Sequence, residues 1–366
     1  MLRQLPAPMR ACLLAGATVA CVHVAVMRDA DAALAIVDLG RLPGATQDWA
    51  GVAGISGDGR IIVGVDEGRA FRWDGSLHEI VGAKIASAAN VDGSVIVGTL
   101  GSPSHAFRWT EAGGLQDLGA LPGTSASDAL GVSADGAVVV GRATTAQGSV
   151  PWIWDATNGM RSLGAFDGAA SGSANAVSRD GTTVVGSSGN HAFRWTAQGG
   201  LQDLSPALSS PAWAEANAVS ADGAVVVGRY NANPGVGMRP LQFRWSGTGG
   251  FSDLASVDWG AISPGNAHAV NGDATRIYGQ LFMFLSDASI WSRATGTVKL
   301  ADQLQAEGLD LTDWTLETAL VASDDGDVVA GFGTRRIGAD VVYLSWRVSG
   351  LDSVGPVFID GFDTAD

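Results

Sequence analysis

The sequence predicts a seven-bladed β-propeller of four-stranded antiparallel blades, with the ring closed by its N-terminal strand. Three observations lead there. A strand motif ending in tryptophan returns seven times, an Asp-Gly turn accompanies it, and the repeat starts and stops on complementary strands.

Residues 70–73, 106–109 and 192–195 read Ala-Phe-Arg-Trp, and looser copies end at Trp154, Trp245, Trp291 and Trp346. Together with Trp73, Trp109 and Trp195 these stand 36 to 55 residues apart, a period typical of repeat architectures. The turn recurs as Asp58-Gly59, Asp92-Gly93, Asp135-Gly136, Asp180-Gly181, Asp222-Gly223 and Asp325-Gly326, with Asp273-Ala274 as a degenerate copy. Asp-Gly between apolar runs signals a hairpin, because Gly adopts the positive φ that the turn requires. The runs behind it, such as 138–141 (Val-Val-Val-Gly) and 225–228, are continuous rather than alternating, which suits strands buried on both faces.

A fourth strand, often opened by Gly-Gly, is read at 113–118, 199–204 and 249–254, with weaker copies at 77–80, 160–163 and 297–300. Asp38-Leu39-Gly40 is a further copy, so the repeats begin on a fourth strand, and the last clear copy, 343–346, is a third. Residues 36–39 are therefore expected to complete the last blade, which removes a raw sheet edge. An open β-solenoid is the alternative, but its units are shorter and need no complementary ends. Residues 301–308 read as a short helix outside the ring before the last blade.

Three segments follow: an export signal over 1–35, the propeller over 36–348 and an acidic tail over 349–366. The signal rests on Arg3 and Arg10, the apolar stretch 11–27 and the small-x-small site Ala33-Leu34-Ala35, with cleavage after Ala35. The apolar stretch is short for a membrane span and contains His23. Both cysteines, Cys12 and Cys21, fall inside it, so the mature chain has no thiol for disulfides, catalysis or metal binding. A formal charge of −15 with only two lysines, Lys84 and Lys299, argues against nucleic acid as a partner.

Residues 105–109 with 113–119, and 191–195 with 199–204, resemble the repeat of the HAF family of bacterial extracellular repeat proteins. Leu121-Pro122-Gly123 and Leu42-Pro43-Gly44 resemble the family's linker, and 309–331 its final unit. The resemblance covers roughly residues 36–348 and departs in blades three, six and seven, which lack Phe-Arg before Trp. It implies secretion and a propeller-like β fold, and brings no catalytic residues. The ending 357–363 is similar to a terminal motif of secreted proteins in some Gram-negative bacteria.

Candidates for chemistry are few. Arg72, Arg108, Arg194 and Arg244 repeat at one position, which favours structural pairing with strand carboxylates such as Asp117, Asp203 and Asp253. The Ser-Ala-Asp-Gly turns at 133–136 and 220–223 resemble the Asp-box of sialidases but lack its spacer and following aromatic. Single Asp-Gly pairs also fall short of the converging oxygens a calcium site needs. His105 and His191 share one repeat position, which favours packing, and no His-based ligand spacing, nucleophile elbow or nucleotide loop occurs. A non-enzymatic protein without cofactor or metal is expected.

The second-to-third and fourth-to-first connections are long and variable and open on one face, where function usually sits on a rigid scaffold. Trp49, Trp213 and Trp259 lie in fourth-to-first connections and, with Tyr230, are the candidate ligand-binding residues; Trp259, in the longest connection, leads. The expected protein is a secreted or periplasmic monomer of a Gram-negative bacterium. It binds an extracellular glycan or protein and has no membrane span in the mature chain. A structural envelope protein and a hydrolase with an unrecognised site are the alternatives.

Overall fold

The computed structural model describes residues 33–46, 50–166, 168–205, 213–231, 240–254, 265–282 and 286–351. They form seven four-stranded antiparallel sheets arranged as a seven-bladed propeller. Blades 1 to 6 span residues 51–79, 83–119, 126–162, 172–203, 213–253 and 265–299, each in simple up-and-down order. Blade 7 takes three strands from residues 314–349, and its fourth is the N-terminal strand Ala35–Asp38, paired with Ile36 opposite Val348. The expected closure is thus present.

The continuous apolar runs have a direct cause. The second strand of each blade is sandwiched, so successive residues enter different cores. In blade 4, Val184 packs with Val140 and Phe193 toward blade 3, while Val185 packs with Val226 and Phe243 toward blade 5. Seven such clusters link the ring, the last joining Tyr278, Val329 and Trp346 between blades 6 and 7. The helix Leu300–Ala306 belongs to that cluster, with Leu300 and Leu304 fully buried, so it sits against blades 6 and 7 as a wedge. Each run ends in Gly because the inner strand carries a β-bulge that brings a carbonyl over it; a Cβ there would lie 1.9–2.0 Å from that oxygen in every blade.

The turn has more chemistry than its Asp-Gly core. In blade 4 the Ser178 hydroxyl donates to Asp180 (2.6 Å) and accepts the Thr183 N–H (3.0 Å), while Asp180 accepts the Thr182 N–H (3.0 Å). Ser56, Ser133, Ser220 and Ser323 repeat this, and Asn90 and Asn271 substitute their amide oxygens in blades 2 and 6. Blade 6 keeps the turn with Ala274 at φ 59° where the others have Gly.

The Ser hydroxyl, then a backbone N–H, holds the carboxyls of Asp135, Asp180 and Asp222 below the ordinary value of 3.8. Folding depresses these pKa values, so the stability they add is present above 3.8 and is lost as pH falls through the lowered values. Thermal midpoints should therefore drop as the pH is taken from about 4 downward. Asp180→Asn should flatten that dependence in a pH series of melts; a variant curve parallel to the parent's would refute the assignment.

Candidate functional site

The up-and-down order places the two faces of the ring in different physical regimes. First-to-second and third-to-fourth turns share one face; the longer connections share the other. At the short-turn face the inner strands are tied together by seven backbone hydrogen bonds of 2.7–3.4 Å, running blade to blade through Asp58, Val91, Ala134, Arg179, Ala221, Gly272 and Asp324. Inside this girdle an Arg179–Asp324 ion pair crosses from blade 4 to blade 7. Gly57 makes room for it, since a Cβ there would sit 1.9 Å from an Asp324 carboxylate oxygen. The channel cavity above measures about 120 Å³ and is lined chiefly by apolar residues such as Ile55, Val132, Val177 and Val219. Among its described lining residues Asp324 is the sole carboxylate, and it is paired.

Trp49 and Trp259, expected on the long-loop face, lie outside the described residues. Trp213 opens the inner strand Trp213–Val219, half-buried, with the Arg229 guanidinium 5.5 Å over its ring. Glu215 holds Arg229 there with two bonds of 2.7 and 3.0 Å. Tyr230 is a core residue, which corrects the expectation for it. Its side chain packs edge-on to Phe243 and Phe251 at 6.5 and 5.0 Å, and its hydroxyl donates to Asp253. Burial, then that carboxylate, pushes the hydroxyl pKa well above the usual phenol range. The neighbouring His268 is drawn down to about 4 by burial, then by Arg229, and is neutral at pH 7.

The repeated arginines also depart from expectation. Arg108 and Arg194 donate not to strand aspartates but to the turn carbonyls of the next blade, Gly136 (3.0 Å) and Gly223 (3.4 Å). The aspartates have other partners: Asp117 pairs with His105 at 3.0 Å and Asp203 with His191 at 2.7 Å. These pairs explain why histidine repeats at that position. Arg72 pairs within its own blade with Asp74 at 2.6 Å.

Sequence reasoning missed the feature that most distinguishes the long-loop face. Six large apolar side chains are exposed among the described residues, and five lie at that end: Val81, Ile85, Ile337, Val341 and Tyr343. The last three belong to one hairpin, Val329–Ile337 with Asp340–Ser349, paired over nine positions where the other blades pair five to seven. The hairpin therefore extends past the ring, stiffened by stacked Phe332 and Tyr343 rings (6.0 Å) and by Arg335 over Trp314 (4.7 Å). The signal was present in the unusual length of the segment 329–349 before and after Gly338, but only ring geometry shows which end projects.

No family model matches the sequence, and no curated protein is significantly similar to it. Solved structures are similar in fold. An oligogalacturonate lyase from Vibrio parahaemolyticus superposes with a TM-score of 0.54 at 9% identity, over 87% of this chain and 98% of that one. Hydrazine synthase from Kuenenia stuttgartiensis gives 0.47 at 12% identity, over 83% and 97%. TolB from Acinetobacter baumannii gives 0.43 at 14% identity, over 68% and 63%. The lyase likeness is one of fold, and at that identity it assigns no activity. Among the described residues no helix is long and apolar enough to cross a membrane, and no cluster of three metal-ligating side chains occurs.

Proposed function

We propose that the protein is a secreted, non-catalytic binding module of the HAF type that engages an extracellular partner through its long-loop face. The observation that carries this reading is the gathering of Ile337, Val341 and Tyr343 on a projecting hairpin, while the opposite face is tied into a girdle. Exposed apolar groups on a rigid projection mark interaction surfaces, and they favour a protein or a glycan stacked on aromatics. Export rests on the N-terminal signal, with cleavage after Ala35 leaving Ile36–Asp38 to close the ring.

The test is a thermal melt of residues 36–366 against a panel of extracellular glycans and peptides. A ligand at about a hundred times its dissociation constant adds roughly 2.7 kcal/mol, an easily read shift. The shift is expected to vanish in an Ile337→Ser/Val341→Ser variant, whose own melt should match the parent because both side chains are exposed. A panel without any shift would move the reading to a structural envelope role.

A further inference from the structure

We infer a second binding site on the short-turn face, a groove across blades 4, 5 and 6 that takes a carboxylate-bearing oligosaccharide. It is a different surface from the long-loop face and stands or falls separately. The groove measures about 700 Å³, within the range of small-ligand sites. Three guanidiniums line it, Arg194, Arg244 and Arg293, and no carboxylate does. In a chain of net charge −15 that is a local inversion of sign.

The repeat supplies its own control. The corresponding pocket between blades 1 and 2, about 560 Å³, is lined by Arg72 and Trp109 but also by Asp92 and Glu111. There one arginine faces two carboxylates. In the blade 4 to 6 copy, Arg194 and Trp245 keep the places of Arg72 and Trp109, Gly247 replaces Glu111, Asp222 keeps the place of Asp92 without lining the groove, and Arg244 and Arg293 join the lining. Packing alone does not require this change of lining, because a net-negative version serves the same junction elsewhere in the ring.

Arg244 is the second line of evidence. Its counterparts Arg108 and Arg194 donate through Nε to the glycine carbonyl of the next blade's turn. Arg244 faces the one turn in which Ala274 replaces that glycine, and its buried Nε has no hydrogen-bond partner. A desolvated guanidinium nitrogen left unpaired is costly, and without the anchor its counterparts have, the Arg244 head group that lines the groove keeps its charge for an anion there. Guanidinium forks match carboxylates in planar, two-bond geometry. The three cations come from three blades along a groove, which suits charges spaced along a chain better than one compact anion. Between them the half-buried Trp245 offers an apolar ring, and Gln202 and Thr248 offer hydrogen bonds to hydroxyls.

Calorimetric titration of the mature chain with an alginate trisaccharide tests the site, with maltotriose and inorganic phosphate as comparisons. The uronate sugar is expected to bind, weakening with salt, and to lose at least tenfold in affinity in Arg244→Gln and in Arg293→Gln. Arg72→Gln, at the net-negative pocket, and the Ile337→Ser/Val341→Ser variant should bind as the parent does. The Arg244 Nε has no hydrogen-bond partner, and the Arg244 backbone bonds, such as that from the Ser252 hydroxyl, survive the exchange, so Arg244→Gln should melt normally. No uronate binding, equal binding of maltotriose, phosphate binding alone, or unchanged affinity in Arg244→Gln would each overturn the proposal.

Discussion

Gly186→Ala is expected to lower the unfolding free energy by about 3 kcal/mol, at the upper end of what overpacking a core costs. A Cβ at this position would lie 1.9 Å from the Ser173 carbonyl oxygen, 2.9 Å from its carbon and 3.0 Å from the Ala174 Cα. All three are backbone atoms, so no side-chain rotation relieves the clash. The inner strand is pushed close at this point by the bulge between Ala174 and Ala176. That bulge is itself fixed, since the Asn175 amide donates across to Glu215 (3.2 Å) and to the Ala216 carbonyl (2.9 Å) of blade 5. Relief would have to move two blades. Gly247→Ala is the control, because a Cβ there meets nothing within 4 Å and should change stability by less than about 0.5 kcal/mol. Urea titrations at unchanged m-value would read both; near-equal midpoints would disprove the bulge explanation.

This glycine illustrates what the sequence could and could not reveal. That the apolar run of each blade's second strand ends in Gly was legible, as were the blade count, the turn positions and the closing strand, because each rests on a local pattern that recurs around the ring. The reason for the glycine was not legible, since the clashing carbonyl belongs to another strand and depends on a bulge that leaves no motif. Tyr230 was misread for a related cause. It was grouped with the loop tryptophans by its place near a long connection, yet the strand Val225–Asn231 extends through it and turns its ring into the core. Likewise the pairing of arginines with Asp117 and Asp203 followed from proximity in sequence, whereas neighbouring blades supply the partners. The groove arginine Arg293 was readable in principle. It occupies the third-to-fourth turn position held by Glu111, Ala156, Ala197 and Gly247 in blades 2 to 5, and a column that changes sign is a signal.

Arg41→Ala is expected to cost about 3 kcal/mol, and to open the ring at one place, the seam between blades 7 and 1. Asp66 is fully buried and is held by Arg41 Nη2 at 2.6 Å, Arg41 Nε at 3.1 Å and the Leu42 N–H at 2.7 Å. Arg41 and Leu42 follow directly on the closing strand, whereas Asp66 ends the second strand of blade 1. The ion pair therefore fastens the chain that completes blade 7 onto blade 1, beside the Leu39 N–H bond to the Ser345 carbonyl (3.0 Å) and the Ser345 hydroxyl bond to the Ala50 carbonyl. Removing Arg41 leaves a buried carboxylate with one donor, and that uncompensated charge is the main cost. Arg41 itself is about a quarter exposed, which places the expected value at the lower end of the range for broken buried pairs. Asp66→Asn keeps the shape without the charge, so the double variant Arg41→Ala/Asp66→Asn should be more stable than the sum of the single changes predicts, by about 1 kcal/mol or more. Strict additivity would mean that the pair is not coupled. Hydrogen exchange adds the spatial test: in Arg41→Ala the amides of Ala35–Asp38 should lose protection before those of blades 3 and 4, because a ring closed by one short strand yields first where that strand is fastened.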